Sequence, residues 1–198
     1  MEHILESVKN YTYKYDLKDI NYWNDKEFVL IALKSGYPLS YASNVLKKDR
    51  EIVLEALNHR TNALEFASRE IQNDKEIVIK SVRKCGLDLK YASKELQNDE
   101  DVVIEALKQY SPSLKYASNE LKNNEKFILE ALKIDRKHIG FASKKIQNDR
   151  EFVLEAAKVN GRILPSLPVE MKNDKKIVIR ALKSIHFLIT VNSKERII

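Results

Sequence analysis

The sequence predicts an all-α protein: a right-handed α-solenoid of about seven 25-residue, two-helix repeats with divergent N- and C-terminal caps. An acidic or amide residue opens the same phrase at Asp25, Asp49, Asp74, Asp99, Asn124, Asp149 and Asp174, and after one 24-residue step every interval is 25 residues. A fixed period of this length marks a stacked repeat array. Hydrophobic residues make up 43% and charged residues 32%, with only four Gly and four Pro, which suits a helical protein and argues against disorder or a barrel. Units this short must share one core. The expectation is therefore a single domain over 1–198, with a cap at 1–24, repeats at 25–183 and a cap at 184–198.

Residues 1–24 lack the repeat phrase but carry Tyr11, Tyr13, Tyr15, Tyr22 and Trp23, an aromatic set suited to covering the first repeat. Each unit then reads Asp-x-Glu-apolar-Val/Ile-Leu/Ile-x-Ala, as in 99–106, which predicts a helix B led by a capping carboxylate. Glu27, Glu51, Glu76, Asp101 and Glu151 add charge favourable at a helix N-terminus. Counting from the Asp, apolar residues fill positions three, four, five, seven and eight, for example Ile52, Val53, Leu54, Ala56 and Leu57. That arc of about 200° exceeds the stripe of an ordinary amphipathic helix and requires neighbours on two sides. Ala at position seven keeps the contact close, with Ser81 as the exception.

A shorter phrase follows, Leu-x-Tyr/Phe-Ala-Ser-x-x-Leu/Ile, at 39–46, 64–71, 89–96, 114–121 and 139–146, and predicts a helix A. The Ala-Ser pair allows close helix approach, and the Asn that precedes the capping residue at 24, 73, 98, 123, 148 and 173, replaced by Lys48 in one unit, suits a left-handed helix end. Pro165 and Pro168 interrupt the sixth copy, so a bend or local opening is expected at 160–170. Residues 189–193 fall in the register of a last helix A.

The paired phrases Leu-x-Tyr-Ala-Ser-x-x-Leu-x-Asn-Asp and Asp-x-x-Val-Val-x-x-Ala-Leu, over roughly 17–183, resemble the repeat family called domain of unknown function 4116. The resemblance implies a helical-repeat architecture and a recognition or scaffolding role, and it brings no activity with it.

No glycine-rich phosphate loop, His-Glu-x-x-His pair, Gly-x-Ser-x-Gly elbow or Cys-x-x-Cys is present, so no catalytic, metal or cofactor residue is assigned. His3, His59, His138 and His186 occupy unrelated repeat positions, and Cys85 is alone. The chain shows no signal-peptide organisation and no stretch of about 18 apolar residues, so a cytoplasmic protein, or one exported without a cleaved signal, is expected, as a monomer.

Two columns are candidate partner-binding surfaces. Tyr41, Tyr91 and Tyr116, with Phe66 and Phe141 in the same register, form an aromatic ladder that serves either core packing or recognition. Lys34, Arg83, Lys108, Lys133, Lys158 and Lys183 recur at position nine of helix B. This line either follows an acidic peptide or a phosphate backbone, or complements the helix dipole and pairs with Glu55, Glu105, Glu130 and Glu155 at position six. The net charge of +6, from 35 basic against 29 acidic residues, mildly favours acidic partners. A scaffold binding a protein or peptide is the leading expectation, and a nucleic-acid-binding solenoid the alternative.

Overall fold

A computed structural model describes residues 21–59 and 62–195, with side chains through 187. Within these residues every regular element is helical, and the chain forms an all-α solenoid. The long helices are α1 (Lys26–Lys34), α2 (Arg50–His59), α3 (Lys75–Lys84), α4 (Glu100–Gln109), α5 (Glu125–Ile134), α6 (Arg150–Val159) and α7 (Lys175–Glu195). Each begins at the residue after one of the repeating acidic or amide positions. Asp25 Oδ1 accepts from Phe28 N at 2.8 Å, Asp99 Oδ1 from Val102 N at 3.1 Å, and Asn124 Oδ1 from Phe127 N at 3.1 Å. Each such cap contributes about 1 kcal/mol.

The apolar arc is buried as its width requires. Positions three, four, seven and eight are closed to solvent in the central helices, as Val102, Val103, Ala106 and Leu107 show, while position five is only half-buried at Ile104 and Leu129. At the first edge Trp23 is buried, edge-on to Phe28 at 5.3 Å and to Tyr41 at 5.1 Å between ring centroids. It covers the flank of the first repeat as expected. Tyr11, Tyr13 and Tyr15 lie outside the described residues.

Helix A is not one helix. In the middle repeats it divides into a 3-10 helix, such as Gly86–Tyr91 or Ser111–Tyr116, and a single turn, such as Asn119–Lys122. The Ala-Ser pair forms the break: Ala92 and Ala117 are extended, and Ser118 restarts the helix by accepting from Leu121 N at 3.0 Å. The serine amide also reaches the preceding repeat. Ser43 N donates to Trp23 O, Ser68 N to Lys47 O, Ser93 N to Gln72 O, Ser118 N to Gln97 O and Ser143 N to Lys122 O, all at 2.8–3.0 Å. The serine hydroxyl donates to the preceding Asn Oδ1, as Ser43 does to Asn24 at 2.8 Å and Ser143 to Asn123 at 2.7 Å. A helix running through this point would sacrifice both bonds, because Ser would no longer face the neighbouring unit.

The Asn residues therefore act differently from the sequence reading. Asn73, Asn123 and Asn148 have φ of −103°, −106° and −98°, so none is left-handed, and several accept from the next repeat's serine. A left-handed helix end occurs at Gly36, with φ 84°, and accompanies the shorter first repeat. Helices α3 to α6 instead end in extended residues, Cys85, Tyr110, Asp135 and Asn160. Beyond those ends Gly86 and Gly161 are placed so that a Cβ would lie 2.4 Å from Ala106 O and 2.1 Å from Ala181 O, a backbone approach that only glycine permits.

The 160–170 segment keeps the common plan: a 3-10 helix at Gly161–Ser166, then a turn at Val169–Lys172. Pro165 fits because a 3-10 helix this short leaves few amides to satisfy, and Pro168 stands where other repeats have the serine. Having neither an N–H nor a hydroxyl, Pro168 can neither donate across the stack nor cap the following turn, so the expected irregularity is a local loss of the serine's bonds rather than a change of plan. At the C-terminus 189–193 continue α7 without a turn, so no last helix A forms there.

Candidate interaction faces

The position-nine cations lie on the exposed side of the long helices, and most are matched by carboxylates. Lys108 pairs with Glu105 at 2.7 Å, Lys133 with Glu130 at 2.6 Å and Lys158 with Glu155 at 2.8 Å, while Arg83 reaches Glu105 of the next repeat at 2.6 Å. The pKa of Glu105 is lowered by hydrogen bonds to Lys108 and Arg83. Lys34 occupies the last turn of α1, and Lys183 is exposed on α7. The column exists, but glutamates screen its field along most of its length.

A second line of charge was missed. Position one of each long helix reaches forward to the next capping residue: Lys26 to Asp49 at 2.7 Å, Arg50 to Asp74, Lys75 to Asp99 at 2.8 Å and Arg150 to Asp174 at 2.7 Å. Where position one is Glu100, the next cap is the amide Asn124, whose Nδ2 donates to Glu100 Oε1 at 3.4 Å. The one amide among the caps of the seven long helices thus answers the first change of sign. The signal in the sequence was the recurrence of Lys or Arg at position one, interrupted by Glu100 and Glu125, which gains meaning only once the next cap is known to be its neighbour.

The aromatic ladder lies on the opposite elements, the connecting segments. Tyr41, Phe66, Tyr91, Tyr116 and Phe141 are half-buried, each packed against the core by one side. Both core packing and surface display are therefore realised in the same residues. The preceding lysines fold back over two rings, with Lys90 Nζ 4.3 Å from the Tyr91 centroid and Lys115 Nζ 4.7 Å from that of Tyr116. Such cation-ring contacts contribute about 0.5–1 kcal/mol at exposed sites.

Between successive segments run two adjoining grooves of about 560 and 570 Å³ that share Lys90, Lys94 and Gln97. Gln97 fixes the wall between them. Its Nε2 donates to Leu89 O, Lys90 O and Ala92 O at 3.1–3.2 Å, holding the broken segment open-side outward. Lys94 Nζ donates to Gln97 Oε1 at 2.9 Å, and Lys122 Nζ to Lys115 O at 2.7 Å. Partial burial, reinforced by the charge of Lys94, lowers the pKa of Lys122. Lys90, Lys94, Lys115 and Lys122 escaped the sequence reading because they fall at three different repeat positions that converge only when the segment breaks at Ala-Ser.

A buried polar column runs behind this face at position fourteen: Asp88, Ser113 and His138. Ser81 Oγ donates to Asp88 Oδ2 at 2.5 Å, which accounts for the exceptional serine at position seven. Burial raises the pKa of Asp88 to about 6. His138 Nδ1 donates to Ala131 O at 2.6 Å, which places the proton on Nδ1 and leaves the buried Nε2 without a donor. Desolvation lowers the His138 pKa. Among the described residues no group of three or more His, Cys, Asp or Glu could hold a metal ion, and no helix is long and apolar enough to cross a membrane.

Repeated broken segments, reciprocal caps and paired position-one charges define a helical-repeat protein. The sequence model of Domain of unknown function (DUF4116) matches residues 25–72, 49–97, 74–122, 124–172 and 149–190, and the chain belongs to that family. No curated protein matches the chain, and neither does any solved structure.

Proposed function

We propose that this protein is a non-enzymatic scaffold that binds a protein or peptide along the face built by its connecting segments. The observation that carries this reading is the pair of adjoining grooves between consecutive repeats, lined by Tyr91, Tyr116 and lysines outside the ion pairs of the long helices. A repeat array presents such sites in register, so a long partner engages several at once with little ordering of the scaffold. In this reading the scaffold works as a cytoplasmic monomer, a setting compatible with the single thiol of Cys85. The alternative, nucleic acid held by the position-nine column, is disfavoured by Glu105, Glu130 and Glu155 beside that column.

The test is retention of host proteins by immobilised wild-type protein and by two variants. Tyr91→Ala with Tyr116→Ala is expected to lose a retained protein that Lys108→Glu with Lys133→Glu keeps. The opposite pattern would move the binding face to the long helices.

A further inference from the structure

Four lysines gather at the two adjoining grooves, with Arg69 at the edge of one. Lys26, Arg50, Lys75, Arg83, Lys108, Lys133, Arg150 and Lys158 all have a carboxylate within 4.0 Å, whereas among the described residues Lys90, Lys94, Lys115 and Lys122 form no salt bridge. They meet rings, an amide and a carbonyl, none of which neutralises charge. Glu65 is the acidic group that acts on this set, through Tyr91 and Lys90 at one end. The other end, toward Lys122, holds two cations that repel one another.

Resting on the reading of this face as the binding face, we infer that it takes an acidic, extended polypeptide segment whose carboxylates recur at every third residue. Spacing selects the backbone. Packed helical layers stand about 8–10 Å apart, and a polyproline-type strand advances about 3.1 Å per residue with three residues per turn, so one side of it repeats every ~9 Å. A carboxylate at each third position therefore meets one groove per repeat. Lys90 with Lys94, and then Lys115 with Lys122, receive successive carboxylates, while the intervening residues pack on the exposed edges of Tyr91 and Tyr116.

The rings also discriminate against a nucleic acid strand. Sequence-tolerant binding of single strands stacks bases on open aromatic faces. Here Lys90 and Lys115 already lie over Tyr91 and Tyr116, and a base would have to displace them. A carboxylate needs only the ammonium ends.

Fluorescence anisotropy with the full chain tests this with three labelled probes: a Glu-Pro-Pro repeat peptide, a peptide of the same composition with its glutamates in one block, and oligothymidylate. The repeat peptide is expected to bind about tenfold or more tightly than the block peptide and to weaken steeply with salt. Lys94→Gln with Lys122→Gln, checked for an unchanged helical circular dichroism spectrum, is expected to cost about tenfold, while Lys133→Ala in the paired column has no effect. Equal binding of the two peptides overturns the spacing argument. Tighter binding of oligothymidylate that falls with the same substitutions makes the face a nucleic-acid interface instead. Failure of all three probes overturns the acidic occupant, and a host protein still lost with the Tyr91 and Tyr116 substitutions would leave the scaffold reading intact.

Discussion

The repeats at 74–98 and 124–148 place different chemistry at the same buried position, Asp88 in one and His138 in the other. Both are tied to position seven of their own long helix. Asp88 accepts from the Ser81 side chain, whereas His138 donates to the Ala131 carbonyl. The packing constraint is thus a contact between two positions, and the repeat satisfies it with either a side chain or the backbone. Burial disfavours the charged form of each group, and because one is an acid and the other a base their pH responses have opposite signs.

The sharpest way to break this comparison is Asp88→Asn. The folded pKa of Asp88, about 6, exceeds its ordinary value of 3.8, so its favourable contribution is complete below pH 3.8 and is lost as pH rises through 6. A shift of two units corresponds to about 3 kcal/mol. The amide can still accept from Ser81, so urea unfolding is expected to show the variant up to about 3 kcal/mol more stable at pH 7 and nearly equal to wild type at pH 3.5.

His138→Ile imports Ile163 of the next repeat and tests the other sign. The depressed folded pKa means that stability is present above the unfolded value of 6.5 and is lost as pH falls below it. Ala131 O keeps a bond from Asp135 N at 3.2 Å, and the unpartnered Nε2 disappears, so a gain of about 1–2 kcal/mol at pH 7 is expected. The gap should widen at pH 5.5. A constant gap across that range would show that His138 does not titrate with unfolding.

Ser81→Ala separates the hydroxyl from the carboxylate. At pH 7 it removes a bond to a buried charged group and is expected to cost about 1.5–3 kcal/mol, but in the Asp88→Ala background almost nothing, and the difference is the coupling of positions seven and fourteen. The smallest effect belongs to the surface. Arg50→Ala removes exposed pairs with Asp74 and Glu76 and should cost about 0.2–1 kcal/mol, decreasing with salt in thermal melts.

The helical class, the period and the caps were legible because each is local: Asp or Asn followed by a buried pattern at three, four, seven and eight specifies a helix within one unit. Helix A was misread because its Ala-Ser pair looks helical until the partners of Ser93 and Ser118 in the preceding unit are known. The same limit applied to Lys26, Arg50 and Lys75, whose partners lie in the following unit, at Asp49 and Glu51, Asp74 and Glu76, and Asp99 and Asp101. It applied to the groove lysines as well, since Lys94 and Lys122 come from different units. Position nine was visible as a column, but its neutralisation by Arg83 crossing to Glu105 was not. Interactions inside a unit follow from the repeat phrase, and those between units follow from geometry that the phrase only permits.

The proline at 168 gives the array a mechanical polarity. From Trp23 to Lys122 each unit is stitched to its predecessor by a main-chain bond, and at Gln147 the donor that would complete the next stitch is a ring nitrogen without hydrogen. Tension along the axis meets no main-chain stitch at that seam, and the load there passes to side chains, Arg150 on Asp174 and Ser184 on the Lys158 carbonyl.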